Sequence, residues 1–172
     1  MDFSTIIRRL ELAGLHTGRG LSKDEIYAAV SRLGFDVPSV VAEEIRGLYS
    51  LANGGIGLWM IGNWMWEPLG DGVEWYNDLY SENPDIIRII PVLNPGAMAA
   101  IGISVDERFE GFGEVCNWDI MGAITQVGLD LHGLFERWAR SVTEGVHAFE
   151  DLNPRAFELE SWAEYRDRPN WM

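Results

Sequence analysis

The hydrophobic period of this chain changes twice, and that alternation limits its fold more than any other feature. From Phe3 to Ala52 apolar residues recur three and four apart, the spacing of a helical face. Phe3, Ile6, Ile7, Leu10 and Leu15 make one stripe, which Gly14 and the stretch His16-Thr17-Gly18-Arg19-Gly20 bring to an end. Ile26, Ala29, Val30 and Leu33 make a second. Ser22 and Glu25 are spaced as a capping box ahead of it, and Gly34 suits its C-cap. Val41, Ile45, Leu48, Tyr49 and Ala52 make a third. Pro38 fits its first turn, and Asn53-Gly54-Gly55 is expected to stop it because both residue types tolerate positive φ.

The middle of the chain reads as strands. Ile56–Ile61 and Asn63–Leu69 are short candidates, followed by Asp71-Gly72 as a turn or cap and a short helix over Val73–Tyr80. Ile86, Ile87, Ile89, Ile90 and Val92 are β-branched and predict a buried strand. Asn94-Pro95-Gly96 turns the chain into a strand over Ala97–Val105. The 106–112 segment then loops to a strand over Gly113–Trp118, and Ile124–Val127 reads as an edge strand. From Asp130 the helical period returns, with Leu131, Leu134, Phe135, Trp138 and Val142 on one face. A last helix is expected over Asn153–Trp162, with Pro154 in its first turn. The whole predicts one α+β domain over residues 1–172. Its mixed or antiparallel sheet has about four to six strands, with helices packed mainly on one side.

Chemistry that a catalyst needs is sparse. The three histidines, His16, His132 and His147, stand in neither H-x-x-x-H nor H-E-x-x-H spacing. Cys116 is the single cysteine, so no intramolecular disulfide and no Cys-based zinc site can form. Its apolar neighbours mark it as a small buried hydrophobe. No phosphate-binding glycine loop, G-x-S-x-G elbow or D-x-[DN]-x-[DN]-G calcium loop occurs. No apolar run approaches the roughly 20 residues of a membrane span, and the N-terminus lacks the charge order of a secretory signal. The expectation is a cytoplasmic protein with neither cofactor nor metal.

Charge is the informative quantity. The chain carries 13 Lys and Arg against 27 Asp and Glu, a formal net charge of −14. Such a surface repels phosphate backbones and anionic membranes, which excludes nucleic acid and membrane as partners. Most of the imbalance lies between Asn53 and Leu131, where twelve acidic residues face only Arg88 and Arg108. Trp and Tyr are interleaved with them, and these residue types anchor protein interfaces. A single-sign field also speeds association with a partner of opposite sign. The candidate partner-binding residues are Trp64, Trp66 and Trp75 as anchors, with Glu67, Glu74, Asp78, Glu107 and Glu110 as acidic contacts.

The segment Leu48-Tyr49-Ser50-Leu51-Ala52-Asn53-Gly54-Gly55 resembles the L-Y-x-x-x-N-G-G element of the SUKH superfamily. Similar too are the isoleucine-rich strand ending at Ile90-Pro91, the strand Ala97–Gly102, the strand Gly113–Trp118, and the closing helix with Leu134, Phe135 and Trp138. The likeness covers about residues 38–142. Residues 1–37 and 143–172 lie outside it, as N-terminal helices and a C-terminal extension packed on the core. After N-G-G this chain departs from the family with Ile56-Gly57-Leu58-Trp59. The resemblance implies a non-enzymatic bacterial immunity protein that binds and neutralises a cognate toxin, a basic protein such as a nuclease, acting as a monomer or weak homodimer. It carries over no catalytic residues. Two alternatives stand beside it: a regulatory interaction module of the same fold without a toxin, and a small hydrolase using His16 or His132.

Overall fold

The computed structural model describes residues 2–55, 65–82, 85–94, 99–119, 124–127 and 129–144. The N-terminal part follows the three stripes. Helix α1 spans Phe3–Leu12, where the Asp2 carboxylate accepts the Thr5 N–H at 2.8 Å and Ile6, Ile7 and Leu10 are buried. Helix α2 spans Lys23–Val30 behind a complete capping box: Ser22 N–H donates to Glu25 at 2.7 Å, and Glu25 N–H donates to the Ser22 hydroxyl at 3.3 Å. A 3-10 turn over Ser31–Leu33 follows, closed by Gly34 at φ 71°. Helix α3 spans Ser39–Tyr49 and buries Val41, Ile45, Leu48 and Tyr49.

Two expectations change here. The glycine-bearing stretch after α1 holds a strand, β1 (Thr17–Arg19). Asn53-Gly54-Gly55 is no mere helix stop but part of its antiparallel partner β2, Ala52–Gly55. Glycine lets these backbones touch. A Cβ on Gly18 would run into the Asn53 carbonyl, and Gly54, at φ 80°, would bring one to 2.6 Å from the Pro68 nitrogen. α3 accordingly ends at Tyr49, three residues before Ala52.

The second sheet has five antiparallel strands in chain order: β3 (Met65–Trp66), β4 (Ile89–Asn94), β5 (Ala99–Ser104), β6 (Val115–Asp119) and β7 (Ile124–Gln126). The fold is therefore a single-domain α+β arrangement with antiparallel pairing throughout. Helix α4 fills Leu69–Glu82 between β3 and β4 and is longer than the expected Val73–Tyr80. Asp71-Gly72, expected as a turn or cap, lies within its first turn. Contacts from outside the helix overrule the local preference. Asn53 caps it by accepting the Leu69 N–H at 2.9 Å, and a Cβ on Gly72 would sit only 3.2 Å from the Pro91 carbonyl. Helix α5 spans Leu131–Thr143, capped by the Asp130 carboxylate on the Gly133 N–H at 2.6 Å. The expected strand over Ile56–Ile61, the beginning of Asn63–Leu69 and the helix over Asn153–Trp162 lie outside the described residues.

Cross-strand pairs place Trp66, Leu93 and Ile101 on one face of the sheet, and Ala100 and Trp118 on the other. Trp66 packs against Tyr49 of α3 at 6.0 Å and Phe135 of α5 at 5.0 Å between ring centroids. α1 joins this layer through Phe3, edge-on to Phe135. α4 is the exception to helices on one side: its Trp75 meets Trp118 at 6.1 Å, on the opposite face. β4 is consequently buried on both faces, all five residues from Ile89 to Leu93 being buried. That is why it reads as an unbroken apolar run rather than an alternation. Among the described residues, no helix is long and apolar enough to cross a membrane.

Candidate functional site

The structure divides the eight expected contact residues sharply. Trp66 is a core residue with no exposed surface, which corrects its expected role as an interface anchor. The physical reason is its place on β3, where its indole closes the core between α3 and α5. Trp75 is half-buried, with its ring against Trp118. Trp64 lies outside the described residues. Glu67 is also half-buried. Burial and the neighbouring Asp71 push its carboxyl above the ordinary value, and a hydrogen bond with Asn94 pulls the other way.

The remaining four carboxylates are exposed. Glu74 and Asp78 stand four apart on α4, with Asp71 three residues before Glu74, so one helical face carries all three. Glu107 and Glu110 project from the loop joining β5 to β6. Tyr80 and Asp85 lie within electrostatic reach of Arg108 on the loop, and Asp106 reaches Tyr76 of α4 in the same way. Tyr76 and Tyr80 belong to the side of α4 turned away from Glu74 and Asp78, so the two acidic groups are separate patches.

Asp106 is what shapes this loop, and the sequence reading did not single it out. Its side chain is 5% exposed and accepts from Arg108 Nε at 2.8 Å, from the Arg108 guanidinium at 2.6 Å, and from the backbone N–H groups of Arg108 and Arg88. Hydrogen bonds from Arg108, first among these causes, hold its carboxyl well below the usual carboxylate range. The one sequence clue is the Asp-x-Arg spacing at 106 and 108, which suits an Asx-type turn. The two basic residues of the acidic stretch are thus both engaged: Arg108 with Asp106, and Arg88 over the Phe35 ring at 5.9 Å.

The histidines of the hydrolase alternative occupy separate settings. His16 is exposed just ahead of β1. His132 opens α5, edge-on to Phe3 at 5.2 Å, with Glu136 4.0 Å from its Nδ1. The α5 N-terminus beside it receives the half-buried Glu44 of α3, which accepts from the Leu131 and His132 N–H groups. Burial and Asp130 nevertheless push Glu44 upward. Cys116 is fully buried, and burial pushes its thiol up to about 12. Among the described residues, no group of three His, Cys, Asp or Glu side chains is placed to hold a metal ion.

No family model matches the chain, and no curated protein matches it.

Proposed function

We propose that this chain is a non-enzymatic immunity protein of the SUKH type, which acts in the bacterial cytoplasm by binding and neutralising a basic toxin. The observation that carries the reading is the set of exposed carboxylates, Glu74 and Asp78 on α4 and Glu107 and Glu110 on the loop between β5 and β6. It sits in a chain of net charge −14, and both neighbouring cations are tied to internal partners. Such a field steers a positive partner into encounter, and contacts formed afterwards hold it. The motif resemblance around Asn53-Gly54-Gly55 supplies the toxin as the partner class.

The test is co-expression with the product of the adjacent gene, scored by protection of the cells and by co-purification. Protection with a complex whose association slows as salt rises supports the reading, because surface charges are screened beyond roughly 8 Å at physiological ionic strength. An unprotected host and no complex at low salt would sink it.

A further inference from the structure

The loop between β5 and β6 and the edge strand β7 together form one surface. A hollow of about 270 Å³ opens there, lined among the described residues by Asp85, Ile87, Asp106, Arg108, Phe109 and Ile124. Its apolar floor is Ile87, which is buried, with Phe109 half-buried and Ile124, 37% exposed, at the rim. The walls are braced. A Cβ on Gly111 would come within 2.7 Å of the Phe109 ring and 3.2 Å of Gln126, so the loop backbone lies flat against that ring and against β7. The Gln126 amide donates to the Glu114 carboxylate, joining strand to loop. Asp106 fixes the loop from beneath with its four hydrogen bonds. A preformed hollow loses little freedom when something enters it.

Charge decides what enters. Arg108 is held by Asp106 and stands in the field of Asp85, and Glu107 and Glu110 flank it, exposed. The surroundings are therefore negative around an apolar centre. A second copy of the chain, with its own net charge of −14, meets repulsion there.

We propose that this hollow receives a basic polypeptide segment, one aliphatic or aromatic side chain seating among Ile87, Phe109 and Ile124 while flanking Lys or Arg residues face Asp85, Glu107 and Glu110. This rests on the reading of the chain as a binder of a basic protein, and it moves the apolar anchor from the tryptophans to the loop and β7.

The experiment uses the full chain and two synthetic probes, acetyl-Lys-Lys-Leu-Lys-Lys-amide and its Lys-Lys-Ser-Lys-Lys counterpart, followed by amide chemical-shift mapping. The expected result is saturable shifts confined to 107–112 and 124–127, with the leucine peptide about fivefold tighter through its buried side chain. The variant Ile124→Ser, at the exposed apolar rim of the hollow, should reduce that difference. Glu107→Lys with Glu110→Lys, at exposed loop positions, should weaken both peptides and serves as the test if the apolar variant does not fold. Shifts centred on Glu74 and Asp78, or equal affinities for the two peptides, would overturn the proposal. Two outcomes separate it from the immunity reading. A complex with the adjacent gene product that is indifferent to Glu107→Lys with Glu110→Lys removes this surface and leaves immunity standing. Peptide mapping as expected, alongside no complex with that product, does the reverse.

Discussion

The side-chain oxygen of Asn53 accepts the backbone N–H of Leu69 at 2.9 Å, so a residue of the small sheet caps the first turn of α4. Helix N-caps contribute about 1 kcal/mol, and the acceptor is what matters. Asn53→Ala should lower unfolding stability by about that amount in urea titrations, whereas Asn53→Asp, which keeps an acceptor and places negative charge at a helix N-terminus, should retain most of it. Equal losses for both variants would show that the hydrogen bond is not the cause.

Trp66 and Trp75 differ in burial, and their truncation should differ accordingly. Trp66→Ala removes a fully buried ring wedged between Tyr49 and Phe135 and should cost about 3–5 kcal/mol by chemical denaturation. Trp75→Ala should cost clearly less, since its ring is partly in solvent and meets the sheet chiefly through Trp118.

Asp106 has its pKa depressed on folding, so it contributes stability that is present above its ordinary value of 3.8 and is lost as pH falls through the lower folded value. Asp106→Asn should therefore destabilise the protein by about 2 kcal/mol at neutral pH, the worth of hydrogen bonds to a charged group. The gap to wild type should narrow as the pH drops below 3.8. Thermal melts from pH 7 down to acid measure it, and a pH-independent gap would contradict the assignment.

Glu67 runs the opposite way. Its pKa is raised on folding, so its ionised form costs stability at neutral pH, and that cost disappears below the ordinary value of 4.5. Glu67→Gln should stabilise the protein slightly near pH 7 and make no difference below pH 4.5. Stabilisation that persists in acid would point to packing rather than charge.

The helices α1, α2, α3 and α5 were legible because each carries a 3.6-residue stripe and most carry a local cap, as Ser22 and Glu25 do. The strands β4, β5, β6 and β7 were legible from β-branched runs bounded by turn residues. What escaped was set by distant partners. Thr17-Gly18-Arg19 holds too few apolar atoms to announce a strand, and it becomes one only against Ala52–Gly55. The start of α4 looks like a turn until Asn53 and Pro91 are brought beside it. At the candidate site, charge was readable but depth was not. Composition cannot tell a tryptophan at the centre of the core from one at its margin, and Trp66 turned out to be the former. Asp106 was one carboxylate among 27 until the fold closed Arg108 and two backbone amides around it.

The pairing of β1 with β2 has a consequence for anyone shortening the chain. Deleting residues 1–37 takes away more than a pair of helices laid on a finished body. It strips β2 of its hydrogen-bonded neighbour and exposes the stretch that carries Asn53, on which α4 begins. The chain's opening and its middle are stitched through a few glycines. A fragment starting at residue 38 would therefore be expected to show loosened amide protection at Leu69 before anywhere in the five-stranded sheet.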